Sequence, residues 1–325
     1  MSHRIYITRK IPDVGIKMLQ DKGYEFDMYT ENQVIPRAEM LDTLKGKEYD
    51  ALLTLLTEHI DAEVFDTAPS VKMVSNYAVG FNNIDIAEAN KRGIVVANTP
   101  GASTSAVAEF TVALILALTH KLIDADQFMR DGKYKGWDPY IFLGTELPGK
   151  TLGLIGAGRI GSEAARMLSH GLGMKIMYYD THRNDVIEKE CGAVFVSSIE
   201  ELLPLADVVS VHVPLLPTTH HLLNYDHFKL MKKTAILINT SRGPVIDEGA
   251  LVTALREGLC AGAALDVYEN EPHITEGLDA LPNVILTPHI GSATDVARDT
   301  MAVMAAQNLI EFFEGEEVKN KVVVS

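Results

Sequence analysis

The sequence predicts an α/β protein made of two doubly wound parallel-sheet domains, and three observations support this class. The chain has 325 residues, which is too many for one ordinary core and enough for two domains of about 150 residues each. Short apolar segments alternate with amphipathic ones, a βαβ rhythm typical of parallel sheets with helices on both faces. Finally, Gly156, Gly158 and Gly161 form a Gly-x-Gly-x-x-Gly pattern between a predicted strand and the next helix.

The N-terminal part of the chain predicts the first of these sheets. Its strands are short, apolar and partly β-branched, and amphipathic helices separate them. The predicted strands are residues 5–8, 24–29, 51–55, 71–75 and 95–97, and the helices between them include 16–21, 37–44 and 84–92. The segment Asn-Thr-Pro-Gly at 98–101 follows the last strand and marks a crossing out of this domain.

A long apolar helix is predicted next, at residues 106–118. Glu109 interrupts it, and it is shorter than the roughly 20 residues that a membrane span needs. We therefore expect a buried interdomain or dimer helix and no membrane association.

Residues 151–180 contain a strand, a glycine turn, a helix and a second strand in succession. In such a unit the three glycines permit a tight turn, close approach of the backbone to a pyrophosphate, and close packing of the helix on the strand. The phosphates would lie at the positive N-terminus of the helix. Asp180 ends the second strand, 19 residues after Gly161, near the offset of about 20 expected for a carboxylate that binds the adenosine ribose. The segment therefore predicts a dinucleotide site.

Two residues give opposite indications about which nicotinamide dinucleotide binds. Asp180 can accept hydrogen bonds from both ribose hydroxyls of NAD, and it repels a 2′-phosphate. Arg183 follows three residues later and is the kind of group that accommodates this phosphate. We give the carboxylate the greater weight and expect NAD(H), with weaker use of NADP(H).

The remaining strands of the second sheet deliver three reactive side chains to one edge. These strands are predicted at residues 193–196, 207–213, 235–239, 261–267 and 284–287. Arg242, Glu271 and His289 lie in the loops that follow the last three of them, and ligands of open α/β sheets bind at the carboxyl ends of the strands. The C-terminal helix at 293–313 is longer than this sheet needs, so we expect it to return to the first domain.

An arginine, a glutamate and a histidine at one edge suit the reduction of a 2-keto acid. The guanidinium can hold and polarise the substrate, and the imidazolium can protonate the carbonyl oxygen. A neighbouring carboxylate favours the charged imidazole. Each residue taken alone also has an ordinary structural role open to it, as a loop cap, a solvated acid or a surface histidine.

Composition excludes other classes of protein. The formal net charge is -15 and the chain has no basic run, which excludes a nucleic-acid partner because that binding relies on clustered Lys and Arg. Cys191 and Cys260 are too few for a disulfide framework. No signal-like apolar stretch follows Met1. We therefore expect a cytoplasmic protein, and no metal-binding residues are predicted.

Seven segments of the chain resemble those of the D-isomer-specific 2-hydroxyacid dehydrogenases, and the resemblance extends almost from end to end. They are NYAVGFNNID at 76–85, NTPGASTSAVAE at 98–109, GAGRIG at 156–161, HVPLLPTTHHL at 212–222, INTSRGPVIDEGAL at 238–251, GAALDVYENEP at 262–272 and LTPHIGSAT at 286–294. The resemblance implies that Arg242, Glu271 and His289 are the catalytic residues. It also implies a set of cofactor contacts: Thr104, Gly156, Gly158, Arg159, Ile160, Gly161, Asp180, His212, Pro214, Thr240, Asp266 and His289.

The same resemblance implies how the substrate is held. The backbone amides of Val79 and Gly80, together with Arg242, would bind it. Trp137, the single tryptophan of the chain, looks like the residue that reaches over the pocket of the neighbouring subunit in glyoxylate and hydroxypyruvate reductases. Trp137 could equally be a loop anchor on the dimer surface.

The architecture and activity implied by the resemblance are equally specific. A flavodoxin-like substrate domain (residues 1–99 plus 291–325) would carry an inserted Rossmann-like cofactor domain (residues 100–290), and the protein would be a homodimer. It would reduce a small 2-keto acid such as glyoxylate or hydroxypyruvate to the D-2-hydroxy acid. A D-lactate or broad 2-ketoacid dehydrogenase, a short 3-phosphoglycerate dehydrogenase and a corepressor-like scaffold that binds NAD without turnover are the alternatives.

Overall fold

The structure is a computed structural model that describes residues 3–323. The chain divides into two compact units. The first contains the chain up to Ser103 and from Ala293 onward, and the second is the continuous segment Thr104–Ser292. Each unit has its own sheet, and all the strand pairs described within both sheets are parallel. The predicted α/β class is therefore confirmed.

The first unit is built on a five-stranded sheet in the order β2-β1-β3-β4-β5, the flavodoxin-like order. Its strands are β1 (Arg4–Ile7), β2 (Glu25–Met28), β3 (Ala51–Thr54), β4 (Met73–Asn76) and β5 (Val95–Ala97), and its first four helices are α1 (Asp13–Asp21), α2 (Arg37–Gly46), α3 (Ala62–Thr67) and α4 (Ile86–Lys91). Successive strand residues point to opposite faces. Both faces are apolar because helices cover both: Leu52 belongs to the buried cluster on one face, and Leu53 to the cluster on the other.

The second unit has a seven-stranded sheet in the order β12-β11-β10-β9-β6-β7-β8. Its strands are β6 (Thr151–Ile155), β7 (Lys175–Tyr179), β8 (Val194–Phe195), β9 (Val208–Val211), β10 (Ile236–Asn239), β11 (Gly262–Leu265) and β12 (Val284–Leu286). The chain adds strands outward from β6 to β8 and then returns to place β9 on the other side of β6. Ligands of doubly wound sheets bind at such a switch point, outside the carboxyl ends of the strands.

The helices of the second unit surround this sheet. They are α5 (Thr104–Thr119), α6 (Leu122–Arg130), α7 (Arg159–Arg166), α8 (Asp185–Cys191), α9 (Ile199–Leu202), α10 (Tyr225–Leu230) and α11 (Glu248–Arg256). Side chains cap several N-termini, as where Asp247 accepts a hydrogen bond from the Ala250 amide at the start of α11 (2.9 Å). Within residues 3–323 no single helix is long and apolar enough to cross a membrane. Helices α5 and α6 reach that length and apolar composition only when taken together, and the pair is bent by 63°.

The last helix, α12 (Asp295–Phe313), belongs to the first unit, as predicted. Its Met301, Ala305 and Leu309 lie in the buried cluster that contains Ile5 and Leu53. The Ala305 carbonyl accepts a hydrogen bond from Ser75 Oγ (2.8 Å), and Asn308 Nδ2 donates to the Asn98 carbonyl (2.9 Å). The helix therefore connects the C-terminal end of the chain to strands made from its N-terminal end.

The predicted strands are all present, each with ends within two residues of the prediction. Helix α1 begins three residues earlier than predicted, at Asp13. Gly15 lies inside α1, where a Cβ would come within 2.6 Å of the Ala302 carbonyl oxygen of α12. The glycine is required by the close approach of the two helices. Helix α6 was not predicted.

Candidate active site

Glu271 and His289 form a hydrogen-bonded pair in the second unit. His289 Nδ1 lies 2.9 Å from Glu271 Oε2, and the other carboxylate oxygen accepts a hydrogen bond from the Tyr268 amide (3.1 Å). The two side chains are 26% and 32% exposed, so a small molecule can reach them. Burial alone would raise the pKa of Glu271, but the hydrogen bond and charge of His289, with the charge of Arg242, hold that pKa below its usual value. The carboxylate is therefore ionised beside the imidazole.

Asp266 fixes the loop that carries His289. Its Oδ1 accepts hydrogen bonds from Thr287 Oγ1 (2.7 Å) and the Ile290 amide (2.9 Å), and its Oδ2 accepts one from the Gly291 amide (2.7 Å). Asp266 is only 1% exposed. His289 has a φ of +53°, a left-handed conformation that costs a non-glycine residue about 1–2 kcal/mol. The three bonds offset this cost and hold the imidazole in place, a role that the sequence analysis missed.

Arg242 is positioned by the contact of two loops. A Cβ on Gly243 would lie 1.8 Å from the Tyr268 carbonyl carbon, so the backbones at 243 and 268 touch. Asn239, the last residue of β10, donates from Nδ2 to the Arg242 carbonyl (3.0 Å). Burial of the guanidinium lowers the pKa of Arg242, and the charge of Glu271 opposes this shift. The fold thus brings Arg242, Glu271 and His289 to one place in the second unit.

The glycine turn has the geometry that its sequence predicts. Gly156 has a φ of +97°, and a Cβ there would lie 2.8 Å from the His212 carbonyl carbon. A Cβ on Gly161 would lie 2.2 Å from the Gly156 carbonyl oxygen, so helix α7 packs directly on the turn. Gly158 precedes α7, and a Cβ there would meet no atom within 4 Å. The backbone at Gly158 faces open space at the N-terminus of α7, which fits an approaching phosphate group.

Asp180 and Arg183 have different surroundings at the end of β7. Asp180 Oδ2 accepts a hydrogen bond from the Ala157 amide of the glycine turn (2.8 Å), so the carboxylate lies at this turn. Arg183 is instead paired with Glu188, with Nη2 to Oε2 at 2.7 Å, and its guanidinium lies 5.4 Å from the centre of the Phe195 ring. The arginine is therefore held on the side of α8.

His212 lies against the glycine turn at the carboxyl end of β9. Its Cδ2 would be 3.4 Å from a Cβ on Gly161, and its Nε2 is 2.8 Å from Ser210 Oγ. Burial lowers the pKa of His212 to about 4. The side chain is therefore neutral at physiological pH.

This shift predicts how stability depends on pH. An unfolded histidine has a pKa of about 6.5, so between that value and about 4 the unfolded chain binds more protons at this site than the folded chain. The contribution of His212 to stability is therefore fully present above about pH 6.5 and is lost as the pH falls from there towards about 4. When the pH falls from about 7 to about 5, the free energy of unfolding should decrease in both proteins. We expect the decrease to be about 1–2 kcal/mol smaller in His212→Asn than in the wild type. Urea unfolding at the two pH values measures this.

The matched control is His273→Ala, because His273 is an exposed histidine of the same unit. It should keep the wild-type pH dependence. Equal losses in the wild type and His212→Asn would contradict the assignment of the shift to His212.

The other predicted site residues are distributed over both units. Those in the second unit are Thr104 at the start of α5, Arg159 and Ile160 in the first turn of α7, Pro214 after β9, Thr240 after β10 and Trp137 after α6. Val79 and Gly80 follow β4 in the first unit, where their carbonyls accept hydrogen bonds from Asn98 (2.6 Å) and Asn76 (3.0 Å). The loop of Val79 and Gly80 is thus fixed by side chains of its own unit, and its role in substrate binding stays a prediction.

The doubly wound sheet, the glycine turn and the cluster of arginine, glutamate and histidine together define an NAD-binding oxidoreductase. The NAD-binding domain model of D-isomer specific 2-hydroxyacid dehydrogenases matches residues 112–291. The chain belongs to this family, and it is an oxidoreductase that acts on a CH–OH group.

Relatives and solved structures cover nearly the whole chain. Glyoxylate reductase of Thermococcus litoralis is 49% identical over 99% of this chain and 97% of its own. The enzyme of the same name from Pyrococcus horikoshii is 50% identical over 97% of this chain and 94% of its own. An NADPH-dependent glyoxylate/hydroxypyruvate reductase from Sinorhizobium meliloti, solved with NADP and malonate, superposes with a TM-score of 0.85 at 32% identity, covering 99% of this chain and 97% of the other.

Proposed function

We propose that the protein uses NADH to reduce a small 2-keto acid of the glyoxylate or hydroxypyruvate type to the D-2-hydroxy acid. The observation that carries this proposal is the 2.9 Å pair of His289 and Glu271 beside Arg242 at the carboxyl end of the second sheet. The similarity to glyoxylate reductases over nearly the full chain supports the substrate class.

Each of the three side chains has a separate task in the proposed reaction. When bound, NADH supplies the hydride that adds to C2 of the keto acid. Arg242 binds the substrate and polarises its carbonyl, and His289 donates a proton to the oxygen as negative charge develops there. Glu271 stabilises the imidazolium before transfer and orients its ring through Nδ1. Asp266 keeps the backbone at His289 fixed during this step, so the proton donor stays in position.

A substrate panel tests the proposal. Rates with NADH and glyoxylate, hydroxypyruvate, pyruvate or 3-phosphohydroxypyruvate are compared as kcat/KM. We expect the first two to be the best substrates. Preference for pyruvate or the phosphorylated acid would move the assignment to another dehydrogenase of the family, and NADH binding without turnover of any keto acid would overturn the enzymatic proposal.

We propose a preference for NADH over NADPH. Asp180 lies at the glycine turn, where its charge would repel a 2′-phosphate, whereas Arg183 is paired with Glu188. A repulsion of about 1–3 kcal/mol corresponds to roughly ten- to hundredfold discrimination in kcat/KM. Asp180→Ser should reduce this ratio. The weaker use of NADPH requires Arg183 to leave Glu188 and meet the 2′-phosphate, so Arg183→Ala should weaken mainly the use of NADPH. A wild-type kcat/KM that is higher with NADPH than with NADH would contradict the role of Asp180.

We propose that the protein is a homodimer formed through residues 122–143. Helix α6 has no buried residue, and the segment exposes large apolar side chains: Leu122, Ile123, Met129, Tyr134, Trp137, Tyr140 and Leu143. Monomeric proteins seldom expose an apolar patch of this extent. Sedimentation equilibrium of the wild type should give twice the monomer mass, and a monomer at every concentration would overturn this proposal.

Trp137, with 83% of its surface exposed, tests whether this segment also contacts substrate. If the side chain reaches the partner's pocket, Trp137→Ala should raise the KM for hydroxypyruvate more than the KM for glyoxylate, because only the larger acid extends to it. Steady-state kinetics with both acids measures this. Equal changes in both KM values, with a weaker dimer, would identify Trp137 as a surface anchor.

We also propose a cytoplasmic location. Cys191 and Cys260 are both free, and burial raises the pKa of the Cys260 thiol to about 11. Unpaired thiols are typical of proteins in reducing compartments. Fractionation of cells that express the native chain tests the location.

A further inference from the structure

Two histidines and a glutamate meet near the active site in an arrangement that the proposed reaction does not use. The ligand atoms of His220, His221 and Glu269 lie within 4.8 Å of one another. His221 Nε2 is 2.5 Å from Glu269 Oε1, and the two imidazole rings are stacked with their centres 4.1 Å apart. We propose that these three residues bind a divalent transition-metal ion, with Zn²⁺ as the preferred ion among those commonly available.

The chemistry of the three groups favours such an ion over Mg²⁺ or Ca²⁺. Imidazole nitrogens suit Zn²⁺, Ni²⁺ and Cu²⁺, whereas the alkaline-earth ions prefer ligand sets made of oxygen. Two histidines and one carboxylate are also a common three-residue ligand set for zinc, with water in the fourth position. Since His220 is exposed, that position can open to solvent.

The distances are close to those that an ion requires. With bonds of about 2.1 Å, tetrahedral geometry separates ligand atoms by about 3.4 Å. His221 and Glu269 are closer than this because they share a hydrogen bond, and all three ligand atoms lie within 4.8 Å of one another. An ion would replace the shared proton. The side chains of His221 and Glu269 are 35% and 23% exposed, so neither is locked in place by complete burial.

The backbone already holds two of the ligands in place. His221 has a φ of +50°, and its amide donates to the Pro244 carbonyl (2.8 Å). The Glu269 amide donates to Glu248 Oε1 (2.9 Å), and Glu248 is 1% exposed and also accepts a hydrogen bond from Thr275. These bonds fix the backbone from which the side chains of His221 and Glu269 project. The site is therefore partly formed without an ion.

A bound ion would connect two loops of the second unit. His220 and His221 belong to the loop between β9 and α10, whereas Glu269 lies two residues before Glu271. The backbone at 268–269 also contacts Gly243, next to Arg242. The ion would thus restrain the loop that carries Glu271 from outside the catalytic cluster, without contacting substrate.

Zinc binding to the full-length protein, freed of metal with a chelator, tests the proposal. Competition with a chromogenic zinc indicator gives the affinity, and the visible absorption of bound Co²⁺ reports whether the ligands are tetrahedral. We expect one tight Zn²⁺ equivalent per chain and no competition by Mg²⁺. His220→Ala and Glu269→Gln should each lower the affinity for this Zn²⁺ ion by about tenfold or more.

Two controls keep the result interpretable. His59→Ala removes an exposed histidine from the first unit and should leave the affinity unchanged. His220→Ala alters an exposed side chain, so it should fold even if Glu269→Gln does not, and circular dichroism checks both variants. Zinc affinity that is the same in the wild type and His220→Ala, or the absence of a tight equivalent in the wild type, would overturn the proposal whatever the outcome of the substrate panel.

Discussion

Replacing His289 should lower kcat for keto-acid reduction by about 10²- to 10⁴-fold, because proton transfer by a positioned side chain contributes this much. NADH affinity should change little, since the glycine turn and Asp180 lie on other loops. Two variants separate the chemistry from the backbone. His289→Ala removes the proton donor but places alanine at a φ of +53°, whereas His289→Asn removes the donor and retains a residue that tolerates this conformation. Both should lose turnover, and only the alanine variant should also lose stability.

Steady-state kinetics and quenching of NADH fluorescence measure the two effects. His273→Ala is a matched control, because His273 is an exposed histidine close to Glu271 in the chain. It should keep wild-type kcat. If His289→Asn retained near-full turnover, His289 would not be the proton donor.

Gly243→Ala should damage both the site and the fold. Its Cβ would lie 1.8 Å from the Tyr268 carbonyl carbon and 2.3 Å from the Glu269 amide nitrogen, so the two loops would have to separate. Arg242 and Glu271 would move with them. We expect kcat/KM to fall by about a hundredfold or more, since small displacements of catalytic groups have effects of this size. The free energy of unfolding should fall by about 1–3 kcal/mol from overpacking.

Gly249→Ala provides the matched control for this prediction. Gly249 is exposed in α11, and a Cβ there would find its nearest neighbour at 3.5 Å, the carboxylate of Asp247. Alanine should be neutral or slightly stabilising in a helix. Urea unfolding and kcat/KM are measured for both variants. Wild-type kinetics in Gly243→Ala would mean that the close approach of the two loops is not needed for activity.

The strands, the glycine turn and the positions of Arg242, Glu271 and His289 could be predicted because each depends on short-range pattern. Apolar segments separated by turns mark strands, and a residue that follows a strand of a parallel sheet must lie at its carboxyl edge. The contact between Glu271 and His289 was therefore accessible from the sequence.

Other features depend on contacts between distant residues and could not be predicted. The carboxylate of Asp266 holds amides at 290 and 291, which follow the next strand. The proximity of His221 to Glu269 depends on where two separate loops fold back. The start of α1 at Asp13 was also missed, and its Gly15 packs against Ala302, which lies far away in the sequence.

The discontinuous first unit has a consequence for the order in which the protein folds during synthesis. Thr104–Ser292 is continuous, so its sheet can form as soon as that segment has left the ribosome. The first unit lacks α12 until the second unit has been made, and Met301, Ala305 and Leu309 are part of its core. Its five strands must therefore wait with apolar surface uncovered while the second unit is made, a state that favours aggregation. We expect chaperones to bind mainly to the first unit until α12 has been made.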